Sequence, residues 1–357
     1  MTKFQKQMMT IAAIGALSAV TALPAMAADV SFYGSARLAT FYNMIDDADG
    51  ESYNGFDEHL QANSRFGANF KNGDFGGKFE VGTSGGNANI RLLYGTWNFG
   101  SGKLTVGQDY NRYWLGSQQV WGDDNGNNGY GSLWDGRQPQ IRVDLSNGFY
   151  FSAIKPQNNA DNSNQEIITT SSTTDNDNNE QYLPKLNVGY AGKAGSFSYN
   201  VGVVGQTYKD KDFDETVTSL MGYVTGQAGF GATSVAFTAS YGQNVGNMGF
   251  LGRMSKVNAD DVTGFEGMLQ LSQKLSDTLS FNAGVGYVYD KSDADGADAD
   301  DKMTVFANMP IKMAKYVTLV PEISYIDQLS EGRNASNVTS DSDAKQWAVG
   351  AKWQIDF

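Results

Sequence analysis

Cysteine is absent from the 357 residues, and histidine occurs once, at His59. A chain of this length without disulfides must be held by a large core, by oligomerisation or by a membrane. One imidazole and no thiol leave transition-metal chemistry almost nothing to use, so neither a metal nor a cofactor is expected. Basic residues are also scarce: 26 Lys and Arg stand against 39 Asp and Glu, for a formal net charge of -13. That balance excludes a nucleic-acid partner, whose backbone asks for a basic surface. Long apolar runs are missing beyond Ala28, where a polar residue or glycine interrupts every few positions. A helical membrane protein is thereby excluded. Proline numbers only 6, whereas glycine numbers 42 and aromatic residues make up 12 %.

The first 27 residues form a separate unit. Lys3 and Lys6 precede an apolar stretch from Ile11 to Leu23, which ends in Pro24, Ala25, Met26 and Ala27. The stretch is too short for a spanning helix, and small residues occupy the two positions that a signal peptidase reads. Cleavage after Ala27 is expected, leaving residues 28–357 as one domain. Losing the two leader lysines takes the formal charge from -13 to -15.

Side-chain type alternates with a period of two, which puts one set of residues on each face of a strand. Between His59 and Lys71, Leu60, Ala62, Ser64, Phe66, Ala68 and Phe70 share one face, while Gln61, Asn63, Arg65 and Asn69 share the other. The last strand opposes Trp347, Val349, Ala351, Trp353, Ile355 and Phe357 to Gln346, Lys352, Gln354 and Asp356. Sixteen such segments follow one another: 30–41, 59–71, 75–83, 89–99, 103–111, 138–145, 149–155, 183–191, 196–208, 216–229, 232–243, 263–273, 279–289, 303–309, 316–327 and 344–357. Short turns such as Asn72-Gly73-Asp74 and Ser146-Asn147-Gly148 alternate with longer polar connectors. The pattern predicts an all-β fold: a transmembrane antiparallel β-barrel of sixteen strands, with short periplasmic turns and long extracellular loops. Eighteen strands would require splitting 112–136 or 156–181. A soluble sandwich is the competing all-β architecture, but no linker divides the chain into the two domains it would need. In the fourth strand Arg91 falls in phase with Leu93, Gly95, Trp97 and Phe99, so a bulge or an aromatic lining near the lower rim is expected there. The segments 46–58 and 290–301 read as acidic outer loops, and the second lacks the ligand spacing of an EF-hand.

The closing Trp353-Gln354-Ile355-Asp356-Phe357 and the opening Phe32-Tyr33-Gly34-Ser35-Ala36-Arg37-Leu38 resemble the sixteen-stranded trimeric porins of Gram-negative bacteria. The resemblance implies that Trp353, Ile355 and Phe357 are read by the barrel-assembly machinery. It also implies a homotrimer in the outer membrane, bounded by lipid and lipopolysaccharide, that passes small hydrophilic solutes. Small residues on the outward face of the first two strands (Gly34, Ala36, Ala62, Ser64 and Ala68) suit close contact between neighbouring barrels. In that family the third outer loop folds inward to narrow the pore, and its counterpart here is Arg112 to Gly136. The candidates in and beside this loop are Asp109, Arg112, Trp114, Trp121, Asp123, Asp124, Trp134 and Asp135, since a wholly exposed loop rarely carries three Trp.

Arg37, Arg65, Arg91 and Arg142 fall on polar faces of strands one, two, four and six. Arg on the lipid side near mid-bilayer would cost about 2–4 kcal/mol, so these residues are expected to line the pore as a basic wall. Carboxylates of the third loop would oppose that wall, or each Arg would pair with a luminal carboxylate such as Glu80. The wall favours small anions, because the acidity of the outer loops is screened beyond about 8 Å at physiological salt. A shut barrel whose loops bind a partner is the alternative to a channel. No serine is placed with His59 in a catalytic arrangement, so no enzyme is expected.

Overall fold

The computed structural model describes residues 29–46, 51–84, 87–122, 130–157, 179–210, 214–256, 260–330 and 344–357. The predicted leader, residues 1–27, lies outside them, as do Asp123, Asp124 and most of 156–181. Sixteen antiparallel strands form one closed sheet: β1 (Asp29–Asp46), β2 (Ser52–Leu60 and Arg65–Asn72), β3 (Phe75–Ser84), β4 (Asn87–Asn98), β5 (Gly102–Tyr110), β6 (Arg137–Leu145), β7 (Phe149–Ile154), β8 (Asn179–Glu180 and Lys185–Ala194), β9 (Phe197–Asp210), β10 (Glu215–Phe230), β11 (Thr233–Gln243), β12 (Val262–Lys274), β13 (Ser280–Ser292), β14 (Ala299–Asn308 and Ile311–Ala314), β15 (Val317–Ser330) and β16 (Lys345–Asp356). The sheet closes where β1 meets β16, in register from Ser35 opposite Asp356 to Asp46 opposite Lys345. Closure pairs every strand on both sides, which a strand facing hydrocarbon requires.

The period-two pattern decides which residues face out. Trp347, Val349, Trp353 and Ile355 of β16 are exposed on the outer surface, whereas Ala348 and Lys352 between them are buried inside. Phe32, Phe66, Phe75, Ile141, Phe151, Val203 and Leu269 continue this apolar outer surface around the barrel. Tight turns of two to five residues join the strands at one rim, and both ends of the barrel lie there. Gly34 donates to the Phe357 carbonyl at 2.6 Å, and Phe357 donates to that of Gly34 at 3.0 Å.

Four sequence expectations change in detail. The bulge lies on β4, where Glu80 faces Leu92 but Val81 faces Ile90, leaving Arg91 as the extra residue. It resets the phase: Leu93 and Trp97 turn outward with Ile90, and Leu92 is buried beside Arg91. Within the acidic segment 46–58, Asp46 and residues 52–58 are strand extensions, since β1 and β2 pair from Leu38 opposite Leu60 up to Asp46 opposite Ser52. The two ends of 290–301 are likewise strand, with Asp290 opposite Asp300 and Lys291 opposite Ala299, while 293–298 form the loop between them, and the Asp290 side chain is buried. Finally, three of the five small outward residues present no flat surface. The Phe357 ring covers Gly34, Ala68 is buried, and the Ser64 hydroxyl is engaged with the Arg37 backbone at 3.0 Å where β2 breaks.

Candidate functional site

The connector between β5 and β6, in its described residues 111–122 and 130–136, turns into the barrel and runs along its inner wall. Its two ends are clamped together at Asp135. Asn111 Nδ2 reaches both Asp135 oxygens at 2.9 Å, Tyr113 donates its hydroxyl to Oδ2 at 2.5 Å, and Lys185 Nζ of β8 sits 2.7 Å from the same oxygen. Lys185 and Asp135 have no exposed side-chain surface, so each needs the other. Burial, and then the neighbouring Asp135 charge, hold the Tyr113 phenol well above its usual range and keep it a donor. Further along, Gly131 has φ +79° and lies against the backbone of β12. A side chain there would collide with the Gly267 carbonyl, and the Gly131 carbonyl accepts from Thr238 of β11.

The far part of this loop is fixed across the barrel. Gln270 of β12 accepts from the Gln118 amide at 2.6 Å and donates to the Gly116 carbonyl at 3.0 Å. Gln119 donates to Thr304 of β14 at 3.3 Å and Ser324 of β15 at 3.0 Å. Glu322 of β15 then receives two consecutive backbone amides, Val120 at 2.7 Å and Trp121 at 2.8 Å, together with Asn308 and Ser324, each at 2.8 Å. From the β2 break, Gln61 donates to the Val120 carbonyl at 2.8 Å, and Val120 packs on Ala39, Phe41, Val320 and Ala348. Trp121 donates to Asn43 at 3.2 Å. Trp114 stacks 4.4 Å from the Tyr110 ring, with Trp134 5.4 Å from Trp114. All three tryptophans therefore sit on partners inside the barrel.

The four arginines of the predicted wall divide into two groups and a single residue. Arg91 Nε lies 2.8 Å from Glu80, which is also 3.7 Å from Arg65 and 4.0 Å from Lys78. Arg142 lies 3.0 Å from Asp109 and 3.2 Å from Asp144, while Arg112 takes Asp144 from the loop stem at 2.5 Å. Arg37 donates from Nε to Ser35 at 3.0 Å. Asp109 thus belongs to the wall itself, and Asp135 is held by Lys185 on another strand. Neither opposes the arginines as expected, and Asp123 and Asp124 lie outside the described residues. Toward the short-turn rim a cavity of about 380 Å³ opens, lined among others by Lys71, Asp74, Lys103, Asp109 and Arg142.

A second inward segment went unrecognised in the sequence. Residues 244–256, between β11 and β12, begin with a 3-10 turn at Val245–Met248 whose residues are all buried. Its Phe250 ring lies 5.2 Å from Tyr113, Leu251 donates to the Trp134 carbonyl at 2.8 Å, and Met248 accepts from Lys185 at 3.0 Å. Arg253 anchors it, with Nε 3.0 Å from both Asp290 oxygens and Nη1 3.2 Å from Glu266. The apolar set Val245, Met248, Phe250, Leu251 and Met254 was the available signal, unusual for a fully solvated loop.

A closed barrel of this shape has solved counterparts. The outer membrane channel DcaP of Acinetobacter baumannii matches with a TM-score of 0.70 at 21 % identity, covering 94 % of this chain and 99 % of that one. The fold is that of the outer-membrane porins. An anion-selective porin from Comamonas acidovorans matches at 0.57 and 14 % identity, covering 92 % of this chain and all of that one (100 %). OmpF of Salmonella typhi, in complex with daunomycin, matches at 0.59 and 16 % identity over 91 % and 97 % of the two chains. No protein-family model matches the sequence, and no curated protein does. The porin-like barrel therefore rests on shape and strand order.

Proposed function

We propose that this protein is an outer-membrane porin, a water-filled channel for passive diffusion of ions and small hydrophilic solutes with a preference for small anions. The observation that carries this reading is the placement of an inward loop against β12, β14 and β15 while the arginine-bearing strands β1–β6 keep polar side chains toward the lumen. Fixed guanidinium groups beside a narrow, partly dehydrated route act on a passing ion far more strongly than the screened acidity of the outer loops. In this reading the leader is removed after Ala27, the barrel-assembly machinery reads Trp353, Ile355 and Phe357, and a homotrimer sits among lipid and lipopolysaccharide. No catalytic role is proposed; His59 lies on an exposed strand end with its ring 2.9 Å from Asp57. Swelling of proteoliposomes in small sugars and in organic-acid salts tests the channel. Uptake at rates above those of empty vesicles supports it, and vesicles that stay osmotically intact contradict it. Mass measurement of the detergent-extracted complex tests the trimer.

One observation favours a second reading, a barrel that is shut and serves at its surface. The described parts of two connectors, 111–122 with 130–136 and 244–256, enter the same lumen and share an apolar cluster of Tyr113, Leu133, Ile154, Val204, Met221, Tyr223, Val245, Met248 and Phe250. Intact vesicles in the swelling experiment would select this reading.

A further inference from the structure

The luminal wall carries more positive charge around Glu80 than that carboxylate balances. Arg65, Lys78 and Arg91 all lie within 4.0 Å of it. Both Glu80 oxygens are already engaged, Oε1 by Arg91 and Oε2 by the Tyr33 hydroxyl, each at 2.8 Å. A fourth cation joins the group through Tyr110, whose hydroxyl accepts from Arg91 Nη2 at 3.2 Å and whose ring lies 5.7 Å from the Arg137 guanidinium. Arg137 also lies 5.3 Å from the Trp134 ring. Among the described residues no carboxylate is within salt-bridge distance of Arg137. Farther along the wall, Arg142 and Arg112 have Asp109 and Asp144 between them. The local excess is therefore confined to the Glu80 group.

Ring faces hold the flat side of a guanidinium, and the Tyr110 hydroxyl takes one of the five Arg137 N–H donors, leaving the others free among the described residues. Tyr110, Trp114 and Trp134 stack on one another, so the rings that hold Arg137 are themselves held. A guanidinium fixed this way keeps its planar fork of donors, a shape that matches a carboxylate or phosphate group. Four cations gathered around one saturated carboxylate repel one another in a region of reduced dielectric, and an anion from solution relieves that repulsion. The Arg65 and Lys78 side chains are 21 % and 27 % exposed, so water reaches the group.

We propose that Arg137, clamped by Tyr110 and Trp134, forms with Arg91, Arg65 and Lys78 a binding station for a small soluble oxyanion on the luminal wall. This rests on the porin reading in so far as the anion must reach the lumen, and it adds a discrete, saturable step on the way through. Arg137 is then the residue that distinguishes an oxyanion from chloride, because only the oxyanion can accept two parallel bonds from its fork.

The test is the phosphorus-31 linewidth of inorganic phosphate added to the detergent-solubilised, folded barrel. The expected result is broadening that excess sulfate displaces, that equimolar chloride does not, and that Lys315→Gln at the short-turn rim leaves unchanged. Arg137→Gln should weaken phosphate binding by about tenfold, the loss of one charge-assisted hydrogen bond. Should that variant fail to give folded protein, Arg137→Lys keeps the charge without the fork and should still weaken binding severalfold. Absence of displaceable broadening in the folded wild type, or equal broadening in a folded Arg137 variant, overturns the station. Bilayer currents from the same preparation report separately on whether the barrel conducts.

Discussion

The Phe357 ring lies directly over Gly34, and the two residues exchange both backbone hydrogen bonds, at 2.6 and 3.0 Å. The last residue of the chain thereby closes the sheet onto its first strand. A side chain at position 34 would enter the space the ring fills. Gly34→Val is expected to destabilise the closed barrel by about 1–3 kcal/mol, the usual range for overpacking. The urea midpoint of the heat-modifiable folded band on a gel checks this, and an unchanged midpoint would show that the ring does not need the space.

Glu322 holds the tip of the inward loop through two backbone amides. Each hydrogen bond to a charged acceptor is worth about 1.5–3 kcal/mol, so Glu322→Ala should release the tip by well over tenfold in the bound-to-free ratio. Single-channel recordings should then show noisier and larger steps than wild type. Glu322→Gln, which keeps one acceptor oxygen, should fall between the two.

The buried pair of Lys185 and Asp135 ties the loop stem to β8 at 2.7 Å. Lys185→Met leaves a buried charge without its partner, at a cost of about 3–5 kcal/mol. The double variant Lys185→Met with Asp135→Asn removes both charges and should recover much of that loss. Thermal unfolding in detergent separates the cases, and equal melting temperatures for single and double variants would contradict the coupling.

Outside the spanning strands, Lys256 lies 3.0 Å from Asp261 and 2.8 Å from Glu215. Burial pushes the Asp261 carboxyl up, but hydrogen bonds from Asn244, Lys256 and Gln243 outweigh it and hold the group below its usual range. A carboxyl lowered in the folded state stabilises above its unfolded value, about 3.9, and that contribution is lost as the pH falls through the lowered folded value. For Lys256 burial pulls the other way, yet its two carboxylate partners raise it, so its contribution persists at low and neutral pH and fades only in strong alkali. Hydrogen exchange of residues 244–256 should therefore be alike at pH 7 and 5, and faster at pH 3 once intrinsic rates are removed. Loosening already at pH 5 would point to another group.

Much of this fold was legible because lipid permits few solutions. Alternation in 59–71 and 344–357 sorts residues by face, and the turns at Asn72-Gly73-Asp74 and Ser146-Asn147-Gly148 fall where the barrel reverses. Arg91 in phase with the apolar Leu93 and Trp97 pointed to a bulge, although only the register at Glu80 and Val81 shows which neighbours turn outward. Loop contacts were less accessible. That Asp135 meets Lys185 and Arg253 meets Asp290 depends on strands 50 and 37 residues apart in sequence, which no local pattern encodes. Acidity misled in two places, because 52–58 and the two ends of 290–301 carry the composition of loops while their backbones continue the ladder.

The central claim is conduction along an arginine-bearing wall, and the reversal potential in a planar bilayer under a salt gradient tests it most directly. Wild type is predicted to pass stepwise current with a preference for anions, and Arg65→Gln and Arg142→Gln each to shift the permeability ratio toward cations. A cation-selective wild type whose ratio neither substitution alters would contradict the account.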